Sequence, residues 1–550
     1  MGDFMSIIPL LKRILIYHRP SVTKTGYIPQ EDKHISYDVR RERSIQTPQI
    51  SCDIQFNMFY MTKRFDYPKN NDVVLRKFKL KGDIRGFLMF YDGMSDTNSV
   101  NNGIIKPLLE LPLFQDESEQ RIEKIPSIIV EKFVSHSQAA VSDNFEEIIE
   151  EINFGSCGLF IDGLDKGFIL DVRNWGHRGI DKPGNEQSIY GPQEAFSEML
   201  RNNSALVRKI LKTEKMICES VKIGKVSKTR GVMMYISDLA NEQLVEEVRR
   251  RLNGISMDYC ISSEEVAMFL EENSFSLTNQ ILMTERPDRV ARALSEGRVA
   301  FLLNGNPHVL IMPTNAFELL HAASDDYLRV PYANFIIVIR LIAVIISVLL
   351  PALYLAITLY HREMIPTFLA YAISASRETV PFPSMVELLL MDISFEMIRE
   401  AGIKMPNPIG STLGIVGGLI LGQAAVSAKI VSPIMIIVIA LTGLGSFATP
   451  EYSLGWGYRI LRIAFIILAS ILGFYGIAIG IFFYAVSLGA RSSFGIPFLE
   501  PLFQKKKSER ENAIFTAPVW KREYRPDYLE TQREMQQPKI SMKWRKKRKK

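Results

Sequence analysis

The sequence predicts a cytoplasmic N-terminal domain of two α/β lobes followed by an α-helical transmembrane bundle of four to six helices. Three observations carry this reading. Hydrophobic residues make up 47% of the 550 positions, yet the mean hydropathy is only +0.05, which suits neither a wholly soluble chain nor a pure membrane bundle. Residues 1–330 mix charged and apolar positions as globular chains do, whereas 331–490 contain long stretches without Asp, Glu, Lys or Arg. Within the first half, short apolar strands alternate with helical patterns, the signature of α/β layers.

The strands of the soluble half announce themselves by their turns. An apolar run followed by Asp-Gly or Asn-Gly occurs at Phe87 to Asp96, Leu159 to Val172 and Val299 to Pro313. Both residues of such a pair tolerate positive φ, so the motif predicts hairpins and is read as turns rather than ligand sites. Helical patterns lie at Ile122 to Ser135, Pro192 to Leu211, Asn241 to Leu252 and Pro287 to Glu296. The resulting division is an N-terminal extension (1–44), two lobes (45–215 and 216–330), a membrane domain (331–490) and a basic tail (491–550).

Catalytic chemistry is not indicated. The chain has no P-loop, no GxGxxG after a strand, no HExxH and no nucleophile elbow. His177, in Trp175-Gly176-His177-Arg178 ahead of Asp181 and Glu186, reads as a turn held by ion pairs. Cys52, Cys157, Cys218 and Cys260 show no CxxC spacing and are read as reduced core thiols without a disulfide. The expectation is a non-enzyme without cofactor or metal.

Four stretches are long and apolar enough to span a bilayer, which takes roughly 20 residues: Leu341 to Tyr360, Pro408 to Ala428, Val431 to Pro450 and Ile463 to Leu488. Pro351 and Pro433 fall inside two of them, which predicts kinks satisfied by packing against neighbours. A fifth, ambiguous segment covers 362–407; its apolar core, Met385 to Met397, carries Glu387, Asp392 and Glu396 and cannot face lipid on all sides. The apolar run Phe4 to Ile16 is broken by Lys12 and Arg13, so no export signal is expected. Residues 504–550 hold sixteen Lys/Arg against six Asp/Glu, a net +10 within a chain of +6. Such a tail belongs on the cytoplasmic side, against anionic headgroups, and with an even number of crossings the lobes share that side. Without a recognition module, the basic run does not indicate nucleic acid.

Gly410, Gly414, Gly418 and Gly422 recur every four residues along one uncharged helix, a ridge that lets a neighbouring helix approach closely. Thr412, Val416, Gln423 and Ser427 fall on the opposite face. Polar groups in hydrocarbon face a bundle interior or a water-filled cavity, so this strip is read as lining an ion path. The competing reading is that Gln423 and Ser427 hydrogen-bond to another helix. Glu387, Asp392 and Glu396 form either an acidic vestibule favouring cations or the wet face of an interfacial helix. One strip per chain makes a pore only in a cyclic homo-oligomer.

Residues Phe395 to Pro433, FEMIREAGIKMPNPIGSTLGIVGGLILGQAAVSAKIVSP, resemble the signature of the A subunits of GerA-type spore germinant receptors. Gly191-Pro192-Gln193-Glu194-Ala195-Phe196-Ser197-Glu198, Glu285-Arg286-Pro287-Asp288, Glu296-Gly297-Arg298, Asp325-Asp326-Tyr327 and Pro381-Phe382-Pro383 extend the similarity over about residues 45–500. A related stage V sporulation protein shares much of this pattern. The resemblance implies a complex in the spore inner membrane with a permease-like B subunit that binds the nutrient and a lipoprotein C subunit. It implies an A subunit that transduces the signal, as a nutrient-gated ion channel in the family-level view. A scaffold that only assembles the other subunits and a solute permease are the alternatives; the permease is disfavoured because the membrane half has no visible internal repeat.

Overall fold

The computed structural model describes residues 49–80, 84–110, 139–173, 183–184, 186, 188–404, 418, 420–503 and 515–537. The expected helix at 122–135, the surroundings of His177, the N-terminal extension and the last basic run lie outside the described residues.

Each lobe is built on a five-stranded sheet. The first has β1 (Val73–Lys79), β2 (Arg85–Tyr91), β3 (Ala139–Ser142), β4 (Cys157–Ile161) and β5 (Gly167–Leu170), in the order β1-β2-β4-β5-β3. The second has β6 (Met216–Ile223), β7 (Thr229–Ile236), β8 (Leu282–Thr284), β9 (Val299–Leu303) and β10 (Val309–Met312), in the order β6-β7-β9-β10-β8. All pairings are antiparallel. Strand for strand the two orders are the same, so one topology is used twice. The helix preceding the central hairpin is also shared: α2 (Phe145–Asn153) in the first lobe and α6 (Pro287–Ser295) in the second, with α1 (Ile54–Arg64), α3 (Leu200–Ile210), α4 (Glu242–Asn253) and α5 (Ser263–Leu270) completing the layers.

Two of the three turn motifs make hairpins. Asp162-Gly163 joins β4 to β5 and Asn304-Gly305 joins β9 to β10, with φ of 86° and 90° at the glycines. The third does not. After Asp92-Gly93 the chain enters a helical turn at Ser99–Ile105, because Asp96 accepts from Asn98 N at 3.0 Å and from the Ser99 hydroxyl at 2.6 Å and so starts a helix in place of a strand. The helix expected from Pro192 begins only at Leu200: Phe196 N bonds to Glu285 O and Asn203 binds the Ser197 backbone, holding 192–199 extended. Asn144, Asn241 and Ser262 cap α2, α4 and α5 from their side chains. Cys157, Cys218 and Cys260 are buried, but Cys52 is exposed and is not the core thiol expected.

Alternation along the strands loads both faces of each sheet. Leu88, Phe90, Leu159 and Phe168 pack on one side of the first, and Phe87, Met89, Tyr91 and Phe160 on the other against α1 and α2. In the second lobe Met233, Phe301 and Leu310 meet α4 and α5, while Met234, Leu302 and Ile311 meet α3 and α6. The lobes are pinned by Arg208, 2% exposed. Its Nη2 donates to Asp72 Oδ1 at 2.7 Å, to Asn70 Oδ1 at 3.1 Å and to Met216 O at 3.0 Å, and its guanidinium lies 3.9 Å from the Tyr91 ring centroid.

The membrane half contains α7 (Val330–Tyr360), α8 (Thr367–Arg377), α9 (Ser384–Lys404), α10 (Pro433–Phe447), α11 (Tyr452–Leu472) and α12 (Phe474–Gly489), and residues 420–427 are helical. Val330–Tyr360 and Ser453–Leu472 are long and apolar enough to cross a bilayer, with Pro433–Phe447 and Phe474–Gly489 as shorter apolar helices. Pro433 is not inside a helix, as expected, but at its first turn, where a missing N–H costs nothing. Pro351 is accommodated within α7. The single span expected at Ile463 to Leu488 is two helices: Gly473 (φ 59°) breaks it, and Gly476 lets α12 fold back so closely that a Cβ there would strike the Leu468 carbonyl.

The bundle stands on the second lobe. Arg340 of α7 pairs with Asp325 (2.8 and 3.2 Å) and donates to Leu320 O at 2.8 Å. Leu454 and Phe498 join the core of the second lobe. Part of the segment assigned from sequence to the basic tail also returns to it. Leu529 is buried and Tyr528 half-buried, Tyr528 OH accepts from Arg298 at 2.9 Å and Asn315 at 3.0 Å, and Arg525 donates to Ser295 O at 2.8 Å. Residues 515–537 thus form a strap that bounds a cleft of about 370 Å³. Arg292 and Arg522 share Asp326 there, and Arg298 pairs with Glu318.

Candidate functional site

The site begins with helix periodicity. On α9, Asp392, Glu396 and Arg399 stand at i, i+4 and i+7 and share one face; on α11, Arg459 and Arg462 stand three apart. The two faces meet. Arg462 Nη2 lies 2.9 Å from both Asp392 Oδ1 and Glu396 Oε1, Arg399 Nη1 lies 3.3 Å from Glu396 Oε1, and Arg459 Nη1 lies 3.5 Å from Glu396 Oε2. Arg399 also donates to the Ser446 hydroxyl of α10. Its guanidinium is flanked by Phe395 and Phe447 at 5.1 and 4.4 Å, and Arg459 lies over Trp456 at 4.3 Å. Arg462 is 1% and Asp392 2% exposed.

Two of the three acidic positions, the buried Asp392 and the half-buried Glu396, are therefore paired with arginines. An unpaired charge in hydrocarbon is costly, and pairing offsets most of that cost. The third, Glu387, is 1% exposed and separate: its Oε1 accepts the Ser432 N–H at the start of α10, where a carboxylate meets the positive end of the helix. It lies about 13 Å along α9 from Glu396.

Arg459 and Arg462 are the functional residues that sequence reasoning missed. The expected span began at Ile463, just beyond both, and their partners lie on a helix some sixty residues earlier. The available signal was two arginines at i, i+3 leading into an apolar run.

Of the expected polar strip, Gln423 and Ser427 are exposed. Gly422 is buried, and a Cβ added there would lie 3.7 Å from Ile436 of α10, whereas one added at Gly418 would meet nothing within 4 Å among the described residues. Gly410, Gly414, Thr412 and Val416 lie outside the described residues.

A second polar cluster joins the lobe to α11. His308 Nδ1 is 2.9 Å from Glu264 and its Nε2 3.1 Å from Glu285, and these carboxylates push the imidazole up to about 10. Glu186 accepts from Thr284, Glu285 N and Arg289, and Arg289 lies 3.8 Å from Glu451, the residue before α11. Burial raises the Glu451 carboxyl to about 7 against the pull of Arg289. A carboxyl whose folded pKa is raised contributes stability that is full below its unfolded value and is lost as pH rises through the folded one. The melting temperature of the detergent-solubilised protein is accordingly expected to fall from about pH 5 to 8, and Glu451→Gln to flatten that slope. An unchanged slope would place the titration on other groups.

A two-lobed α/β head carried on a helical bundle with an internal charge network defines a membrane-associated protein whose soluble part is coupled to its helices. The sequence comparisons then give the family. Residues 60–528 match the model of the Bacillus/Clostridium GerA spore germination protein family, and the chain belongs to it. It is 35% identical to spore germination protein KA of Bacillus subtilis over 86% of each chain, and 33% identical to spore germination protein GerLA of Bacillus cereus over 88% of this chain and 98% of that one. The crystal structure of the N-terminal domain of the A subunit of the Bacillus megaterium spore germinant receptor GerK3 is 26% identical, with a TM-score of 0.38, covering 48% of this chain and 96% of that one.

Proposed function

We propose that this protein is the A subunit of a nutrient germinant receptor in the spore inner membrane. In this reading it converts binding of an amino acid, sugar or nucleoside into germination by forming an oligomeric, nutrient-gated ion channel. Family membership supports the germination role. The observation that carries the channel reading is the exposure of Gln423 and Ser427 on a helix whose Gly422 is buried. Polar groups on the outer surface of a membrane bundle need a partner, and in a cyclic homo-oligomer copies of this strip face one another around an axis. The charges inside one chain pair with each other, so the path runs between copies, with Thr412 and Val416 continuing the strip.

The bundle then crosses the membrane six times, through α7, α9, the helix containing 420–427, α10, α11 and α12. The contacts of α7, α11 and the segment after α12 with the second lobe support lobes and strap on one side, the spore core. A permease-like B subunit and a lipoprotein C subunit complete the receptor, and the last basic residues lie on anionic headgroups. A non-conducting scaffold is the second reading, favoured by the same pairing of charges within one chain.

The two separate in spores carrying Ser427→Leu or Gln423→Leu. Potassium release after nutrient addition is expected to be lost or constitutive at normal membrane abundance. Unchanged release at normal abundance would remove the strip from the ion path.

A further inference from the structure

The second lobe carries an apolar patch that its own core does not use. On α5, Val266, Ala267 and Leu270 face inward, whereas Met268 and Phe269 are 55% and 54% exposed, and Phe275 in the following loop is 51% exposed. The Ser274 hydroxyl donates to Met268 O at 3.2 Å, which brings the residue before Phe275 back against the end of α5.

The position of this patch identifies what covers it. The loop after α5 is fixed to the base of the bundle: Asn279 Nδ2 donates to the Ser453 hydroxyl at 2.8 Å, and the Leu277 carbonyl sits so close to Gly457 that a Cβ there would strike it. The apolar helix Ser453–Leu472 has 20 residues, about 30 Å, which is the thickness of the hydrocarbon core. Gly457, four residues in, therefore lies about 6 Å inside its end, at the boundary between headgroups and acyl chains. Leu277 touches that level, and Phe275 is two residues away. Trp456, 43% exposed beside it on α11, is a residue type enriched at that boundary.

Polar side chains of the loop bond to the loop's own backbone. Asn273 Oδ1 accepts from Phe275 N at 3.1 Å, and the Ser276 hydroxyl donates to Thr278 O at 2.6 Å. A loop whose polar groups bond to its own backbone while its apolar side chains point outward can enter the interface without leaving polar groups unsatisfied.

We infer that Met268, Phe269 and Phe275 form a wedge by which the second lobe is seated in the lipid bilayer's headgroup and acyl boundary. The lobe is thereby held by lipid as well as by its helices, so bilayer composition acts on the α5 loop and, through Leu277 and Asn279, on the base of α11.

The test uses the full chain in lipid nanodiscs, with Cys52→Ser and a nitroxide on Met268→Cys or Phe269→Cys; the other three native cysteines are buried. Glu246→Cys, on the exposed face of α4, is the aqueous control. The ratio of collision with oxygen to collision with a water-soluble nickel chelate is expected to be about three-fold or more higher at 268 and 269 than at 246, as for an apolar side chain in the interface. A ratio equal to that at 246 would leave the patch in water and overturn the inference. Low collision with both reagents would overturn it too, and dipolar broadening between labels would identify a second copy of the chain as the cover.

Discussion

Arg462→Met is expected to destabilise the folded bundle by about 3–5 kcal/mol, the usual cost of removing one partner from a buried ion pair. Asp392 is the reason. It is 2% exposed, and Arg462 at 2.9 Å is its ion-pair partner, whereas Glu396 keeps Arg399 and Arg459. Without the guanidinium a carboxylate is stranded inside the helical bundle. The double variant Arg462→Met with Asp392→Leu is expected to recover most of the loss, since replacing a buried pair by apolar groups of similar volume is close to neutral. Thermal unfolding of the single and double variants in nanodiscs measures both. A single variant as stable as the parent would mean that water reaches Asp392. A double variant no better than the single would mean that Arg462 acts through packing.

Arg208→Met is expected to cost a similar amount, about 3–5 kcal/mol, and to loosen the lobes from each other. The side chain donates to groups from both lobes, Asp72 and Asn70 of the first and the Met216 carbonyl of the second, so its loss leaves three acceptors without this donor at one junction. Arg208→Lys is not expected to rescue, because one ammonium cannot reproduce the planar fork. Denaturant unfolding combined with limited proteolysis between α3 and β6 reads both effects. A loss below about 1 kcal/mol, typical of a surface pair, would show that the junction is solvated.

Much of this architecture is written locally. Asp162-Gly163 and Asn304-Gly305 make the hairpins they predict, and the helix over Asn241 to Leu252 starts at its Asn cap and ends at Gly254. The division into a charged half and an apolar half needs only composition. Where local signals compete, the context decides: Asp92-Gly93 has the same turn chemistry, but Asp96 beyond it starts a helix. The doubled topology of the lobes is marked in the sequence only by the turn motif shared by the two equivalent hairpins, at Asp162-Gly163 and Asn304-Gly305, because the rest of the same strand order is filled by different side chains.

Hydrophobic period and the backbone freedom of single residues are local, so most strands and helices and the long apolar stretches are legible in the sequence alone, whereas the start of the helix after Pro192 and the break at Gly473 are not. The sequence also placed acidic groups within an apolar stretch. Only the tertiary structure decided their meaning. Glu387 caps a helix, whereas Asp392 and Glu396 are neutralised by Arg459 and Arg462 on a helix far along the chain. Likewise the chain turns back at Gly473 because α11 and α12 pack against each other there. A charge buried in hydrocarbon is stable only beside its counter-charge, and which residues become neighbours is a property of packing between distant segments.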